Sequence, residues 1–246
     1  MLELAPSGVE QVDGDGFVEY AIYGAPGELP VLPVGEAEIA GARVRVSGGE
    51  VASDWGERWK RFHEPVLVDD RLFVRPPWSQ PRPGTIDLVV DPGQAFGTGA
   101  HPTTRLCLEL LLGLEPSGPL ADLGCGSGVL AIAAAKLGFG PVTAFDNEQA
   151  ALEATRANAR ANGTELARVE RLNLRDQPPP VAATITANLT RALLLRVAEL
   201  MVDTPDALIA SGLLEEEADS VAVAFAPLRE RRRVRLHGWC ALLLGG

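Results

Sequence analysis

Two glycine-rich stretches hold the residues of this chain that could do chemistry. The first is Asp91-Pro-Gly-Gln-Ala-Phe-Gly-Thr-Gly-Ala-His-Pro-Thr-Thr104. The second is Asp122-Leu-Gly-Cys-Gly-Ser-Gly128, followed by Asp146 at the end of an apolar run. Glycine-rich turns between a strand and a helix serve several ligands, and spacing separates them. Gly124, Gly126 and Gly128 read G-x-G-x-G, whereas a dinucleotide fingerprint needs its third glycine where Val129 stands. No lysine follows to complete a nucleotide-phosphate loop, and Cys125 occupies the position where the serine-hydrolase elbow requires glycine. A carboxylate at Asp122, where the chain enters the loop, would repel a pyrophosphate. It suits a ligand bearing a sulfonium and an ammonium group, met directly or through water. Asp146 can accept hydrogen bonds from both hydroxyls of a ribose. Acids at strand ends also serve as turn and cap residues, but with the glycine loop between them these two favour a ligand role. Sulfonium, ammonium and ribose together describe S-adenosylmethionine, so the pairing points to methyl transfer.

The elements that must hold these residues can be read from pattern. With 246 residues and 46% apolar content the chain suits one α/β domain, or one with a small appendage. Twenty-two basic against 33 acidic residues leave a formal charge of -11, which argues against a protein that grips nucleic acid by its phosphates and favours a basic protein or amine partner. Cys107, Cys125 and Cys240 are dispersed, as are His63, His101 and His237, so neither a disulfide framework nor a metal site is expected. Without a targeting segment or a membrane-length apolar run, a cytoplasmic protein is expected.

Residues 1–52 alternate apolar and polar positions among many glycines and prolines, as in Phe17–Tyr23 and Ala42–Val46, and predict short strands of a small domain. Ser53 to His63 changes to helical spacing, with Trp55, Trp59 and Phe62 on one face packing as core. Arg75–Gly84 carries four prolines in ten residues and predicts a stiff connector, so 53–85 is read as helix and linker and 86–246 as the catalytic domain. The strand Ile86–Val90 then leads into the first glycine stretch, and Thr103 or Thr104 starts a helix to about Leu112.

Beyond it, strands and helices alternate, which predicts a parallel sheet. Strands are expected at Leu120–Leu123, Val142–Phe145, near Val169, at Ala183–Ala187 and at Ala207–Ser211. Helices are expected at Val129–Leu137, Gln149–Asn162, Arg191–Met201 and Glu215–Phe225. Two closing strands, Leu228–Leu236 and Trp239–Leu244, turn at His237-Gly238. A doubly wound, Rossmann-like sheet ending in an antiparallel hairpin is the class I methyltransferase pattern. The arginines at 229, 231, 232, 233 and 235 could dock an acidic partner or RNA, but on a strand near a sheet edge they more readily face solvent and discourage edge pairing.

These residues resemble PrmA, the methyltransferases of bacterial large-subunit ribosomal protein eleven. The family's Asp-Pro-Gly-x-Ala-Phe-Gly-Thr-Gly-x-His-Pro-Thr-Thr segment is reproduced from Asp91 to Thr104. The similarity continues through Trp55–Pro65, Pro77-Trp78, Ala187-Asn-Leu189, Ser211-Gly-Leu-Leu214 and Gly238–Leu244. The resemblance implies a seven-stranded class I domain behind a small ferredoxin-like α+β domain that positions the ribosomal substrate. It places cofactor contacts on Thr104, Gly124, Asp146 and Asn188, and puts Phe96, Gly97, Thr98 and Gly99 in a loop over the methionine part. Glu148 departs from the aspartate common in the family two residues after the ribose carboxylate. Met1–Glu10 matches the family only after its first strand and much of its first helix, so the recognition domain reads as shortened, unless the start codon is misassigned.

Taken together, the expected cofactor-binding set is Phe96, Thr98, Gly99, Thr104, Asp122, Gly124, Gly126, Gly128, Asp146 and Asn188, with Asn188 also catalytic. The methyl on a sulfonium is already activated, so catalysis needs a nucleophile held in line about 3 Å away. The resemblance makes that nucleophile a lysine side chain or N-terminal amine. The Asn188 side-chain oxygen and backbone carbonyls are expected to accept its hydrogens, with no dedicated general base. Asn188 could instead be a strand-end turn residue, and Asn-Leu-Thr is not the Asn-Pro-Pro-Tyr of adenine and glutamine methyltransferases. The expectation is a monomeric protein-lysine N-methyltransferase of ribosomal protein eleven, without direct nucleic-acid or membrane contact. The alternatives are a methyltransferase of another protein lysine or small amine, a non-catalytic S-adenosylmethionine-binding module, and, weakened by Asp122, a dinucleotide-dependent oxidoreductase.

Overall fold

The computed structural model describes residues 10–14, 17–21, 35–39, 42–47, 64–91 and 99–246. The expected helix at 53–63 and the residues Phe96, Gly97 and Thr98 lie outside them. The chain divides into two compact units, Met1–Trp55 and Gly56–Gly246. In the first, β1 (Glu10–Gly14) pairs with β2 (Phe17–Ala21) and β3 (Gly35–Ile39) with β4 (Ala42–Val46), as two antiparallel ribbons. The segments that would complete a ferredoxin-like arrangement fall outside the described residues.

Among the described residues of the second unit, β5 (Val66–Val68), β6 (Leu72–Arg75) and β7 (Ile86–Val89) come first and form a three-stranded sheet of their own. Neither β5 nor β6 was foreseen, because the prolines after Arg75 masked two very short strands. The prolines themselves sit in the turns between β6 and β7, where a missing N–H costs nothing. Arg75 grips Asp87 through two hydrogen bonds, at 2.7 and 2.8 Å, and so ties the ends of that connection together.

Helix α1 (Pro102–Leu112) follows, then β8 (Leu120–Leu123), α2 (Val129–Leu137), β9 (Val142–Asp146), α3 (Gln149–Ala161), β10 (Arg168–Arg171) and β11 (Thr184–Asn188). The chain closes with α4 (Arg191–Leu200), β12 (Ala207–Leu214), a 3₁₀ turn and α5 (Ala218–Ala224), β13 (Arg229–Leu236) and β14 (Trp239–Gly245). The expected helix from Glu215 to Phe225 therefore splits into a 3₁₀ turn and a short α-helix. Helix α1 begins one residue before the expected threonines: His101 is its N-cap and Pro102 takes the first turn, where proline's fixed φ suits a helix.

The seven-stranded sheet has the order β10-β9-β8-β11-β12-β14-β13, with β14 antiparallel to β12 and to β13 and the other neighbours parallel. Parallel strands covered on both faces are buried throughout, and all four residues of β8 are. Alternation along the strands divides the core. Leu120, Val142, Ala144 and Ile209 pack with α1, α2 and α3. Ala121, Leu123, Phe145, Ile185 and Leu208 pack with Leu194 and Val197 of α4 and Val221 of α5. Each fully buried leucine contributes roughly 1.5–3 kcal/mol. Val68, Leu72, Val74 and Leu88 of the small sheet join the first of these clusters.

His237 and Gly238 both take positive φ, 51° and 79°, as a tight two-residue hairpin requires. They return the chain as β14, paired with β13 at the sheet edge. There a register shift between Glu230 and Arg232 interrupts the ladder. Arg232 pairs with Glu109, Arg233 with Glu230 and Asp219, and Arg235 with Glu215, so most of this basic run is already neutralised. Among the described residues no helix is long and apolar enough to cross a membrane.

Candidate functional site

In an open α/β sheet, ligands bind beyond the carboxyl ends of the strands where the strand order reverses. Here that point lies between β8 and β11, whose ends pair Leu123 with Ala187, while β9 flanks β8 with Phe145 opposite Leu123. The loop after β8, Asp146 and Asn188 therefore meet at one place, although Asp122 and Asn188 are far apart in sequence.

The loop is shaped by backbone requirements. Gly124, Gly126 and Gly128 have φ of 69°, 52° and 82°, a region that side chains with a Cβ rarely enter. The N–H groups of Gly124 and Cys125 both donate to the Phe145 carbonyl, at 2.8 and 2.9 Å, and fold the loop back over β9. Gly128 ends it as the N-cap of α2, an alanine-rich helix of high propensity. Burial pushes the Cys125 thiol up to about 12, so the loop carries no thiolate nucleophile.

Asp146 is half-buried and accepts from the Gly126 N–H and the Glu148 N–H, both at 3.0 Å. One bond goes to each carboxylate oxygen, and a carboxylate oxygen has a second acceptor site. The same group that braces the glycine loop can thus receive two further donors, such as a pair of vicinal hydroxyls.

Asp122 is placed differently from a residue exposed at the mouth of the loop. It is 1% exposed, and both its oxygens are engaged inside the protein: the Thr186 hydroxyl donates to Oδ1 at 2.7 Å and the Ala131 N–H to Oδ2 at 3.2 Å. Removal from water pushes its carboxyl up to about 7, the two hydrogen bonds pull it back, and the Asp146 charge adds to the rise. Its geometry holds the first turn of α2 against β11 and places a titratable charge beneath the loop.

Asn188 ends β11, half-buried. Its Nδ2 donates to the Thr104 hydroxyl at 3.4 Å, which brings two expected site residues together across 84 positions and leaves Oδ1 without a partner among the described residues. Thr104 is 1% exposed, on the first turn of α1. Leu189 lies directly over Gly124, where any Cβ would overlap its side chain, and Gly212 (φ 86°) approaches the Leu189 backbone so closely that a Cβ would overlap its carbonyl. Glycines on two separate strand ends thus clear the path of the Asn188-Leu189 turn. The need for glycine at 212 was not recognised from the sequence, because the residue it makes room for is on another strand. Gly99 (φ 87°) is buried against Val74 of β6, where a Cβ would sit 2.7 Å from Cγ1, so its demand for glycine arises from packing.

No group of three or more histidine, cysteine, aspartate or glutamate side chains converges among the described residues. A cleft of about 600 Å³ lined by Lys136, Pro141, Val142 and Glu165 opens at the amino end of β9, away from Asp146 at its carboxyl end.

Comparison with known proteins bears on the family and the fold. Residues 35–244 match the model of the family described as Ribosomal protein L11 methyltransferase (PrmA). The ribosomal protein L11 methyltransferase of Pectobacterium atrosepticum is 40% identical over 204 residues, covering 77% of this chain and 66% of the relative. That of Shewanella pealeana is 42% identical over 182 residues, 70% of this chain and 61% of the relative. The chain thus spans a little under two thirds of the length of these curated relatives. The crystal structure of ribosomal protein L11 methylase from Lactobacillus delbrueckii subsp. bulgaricus superimposes with a TM-score of 0.64 at 27% identity, covering 74% of this chain and 97% of that one.

Proposed function

Because this chain belongs to the PrmA family of ribosomal protein L11 methyltransferases, whose fold is class I and whose cofactor is S-adenosylmethionine, we propose that it methylates ribosomal protein L11 on lysine side chains or the N-terminal amine. The observation that carries this reading is the convergence at the switch point of Asp146, braced against Gly126 at 3.0 Å, with Asn188, held by Thr104 at 3.4 Å. The donor set suits the cofactor. Asp146 would take the ribose hydroxyls, the Gly124–Gly128 backbone and Thr104 would line the methionine side, and Asp122 would supply negative potential from below. Phe96, Thr98 and Gly99 would complete the set. Bound there, S-adenosylmethionine supplies a methyl group on a positively charged sulfur.

The remaining work falls to the protein. A free lysine amine has a pKa of about 10.4 and must be neutral to attack. Withdrawal from water and a nearby positive charge both favour the neutral amine. Asn188 donates to Thr104 through Nδ2, so its Oδ1 is the atom available to accept an amine hydrogen and aim the lone pair. No side chain need act as a strong base.

In this reading residues 1–52 recognise the protein substrate and 86–246 perform the transfer, while the segment 53–85 between them also supplies the two strands β5 and β6 that pack with β7. The protein works as a cytoplasmic monomer without direct nucleic-acid contact, in keeping with its charge of -11 and its paired arginine run. A second reading is transfer to another protein lysine or small amine, which the excess of 33 acidic over 22 basic residues suits equally well. Incubation with labelled S-adenosylmethionine and isolated large-subunit proteins tests both. Label on L11 supports the first, label only elsewhere supports the second, and cofactor binding without label would reduce the protein to a binding module.

A further inference from the structure

Helix α3 buries polar side chains on the face it turns to the sheet. Thr155 is fully buried and donates to the Gly126 carbonyl at 2.9 Å. Asn158 is 3% exposed. Its Nδ2 donates to the Ser127 carbonyl at 2.9 Å, and its Oδ1 accepts from the Asp91 N–H at 3.1 Å. Asn162, one turn on, accepts from the Val89 N–H at 2.9 Å and donates back to the Val89 carbonyl at 2.6 Å. Positions 155, 158 and 162 share one helix face.

Asparagine is a poor residue for a helix interior, and a buried amide is costly unless its groups are paired. Asn158 is nonetheless buried with both ends of its amide in use, and both partners are backbone groups of the glycine stretches. Asp91 opens the first and Ser127 lies inside the second. Gly126, next to Ser127, is held from both sides as well, its N–H by Asp146 and its carbonyl by Thr155. A single side chain therefore sets the separation between the two stretches. The amide suits this contact because it carries a donor for one carbonyl and an acceptor for one N–H on two separate atoms of a short side chain.

We infer that Asn158 is a positioning residue for the cofactor, fixing the register of the Gly124–Gly128 loop against Asp91 and so the geometry in which Asp146 and the loop backbone present themselves. The inference rests on the S-adenosylmethionine reading above. Asn162 fastens only β7 and its own helix, and supplies the control.

The test is calorimetry with S-adenosylhomocysteine on the full chain, beside thermal unfolding, for wild type, Asn158→Asp, Asn158→Ala and Asn162→Ala. Asn158→Asp keeps size and the acceptor for Asp91 but turns an oxygen toward the Ser127 carbonyl. We expect both Asn158 variants to bind at least about tenfold more weakly, and Asn162→Ala to melt lower with a Kd within about twofold of wild type. If the alanine variant does not fold, the isosteric aspartate decides. Wild-type affinity in the folded Asn158 variants, or an equal loss in Asn162→Ala, overturns the inference while leaving the cofactor reading intact. Failure of the wild type to bind overturns the cofactor reading and this inference with it.

Discussion

Replacing Thr186 with valine should expose the charge held beneath the glycine loop. The Thr186 hydroxyl and Asp122 are 0% and 1% exposed and 2.7 Å apart, so no water can replace the lost bond. A hydrogen bond to a charged acceptor contributes about 1.5–3 kcal/mol, one to a neutral group about 0.5–1.5 kcal/mol. Which figure applies depends on pH, because burial pushes the Asp122 carboxyl from 3.8 up to about 7. A carboxyl raised on folding contributes stability that is fully present below its unfolded value and lost as pH rises through its folded one. The Thr186 bond restrains that rise. Without it the folded value climbs further and the loss extends to higher pH, each unit being worth about 1.4 kcal/mol. Thr186→Val should therefore cost about 1 kcal/mol at pH 5.5, where Asp122 is protonated in both proteins, and about 2–3 kcal/mol at pH 8.5. Urea unfolding followed by tryptophan fluorescence at the two pH values measures the difference, with unchanged slopes identifying it as stability. An equal cost at both, or a smaller one at pH 8.5, would refute the assignment of Asp122 as a buried carboxyl titrating near neutrality.

Two further contrasts test the site. Asp146→Ala removes the acceptor of the Gly126 and Glu148 N–H groups together with the proposed ribose ligand, and should abolish S-adenosylmethionine binding by calorimetry. Asn188→Ala should bind cofactor and turn over at least about tenfold more slowly, and normal turnover would remove Asn188 from the mechanism. Gly212→Ala combines about 1–2 kcal/mol of left-handed strain with overlap at the Leu189 carbonyl, so it should both lower Tm and slow methyl transfer by displacing Asn188. Gly84→Ala, at φ 80° with open space around it, should show the strain alone and leave kcat unchanged.

The division of labour between sequence and tertiary structure follows from range. Period-two and helical patterns are local, so Leu120–Leu123, Val129–Leu137 and the hairpin at His237-Gly238 could be read directly, as could the glycine loop whose φ demands arise within the loop itself. The motif from Asp91 to Thr104 likewise identified the family before any fold was known. Short strands among prolines, β5 and β6, were missed because three or four residues carry too little pattern to outweigh four nearby helix- and sheet-breaking neighbours. Side-chain direction was beyond reach altogether. Asp122 reads in sequence as a carboxylate facing a ligand, yet its partners Thr186 and Ala131 turn it into the core, and the first lies 64 residues away. Asn158 reads as an ordinary helix position until folding brings Asp91 and Ser127 to its two ends, 67 and 31 residues distant. Residue types and spacing thus determined which cofactor this chain suits and which family it joins. Only the packed sheet decided which polar groups remain free to meet a ligand, because burial and pairing depend on contacts that no local stretch of sequence contains.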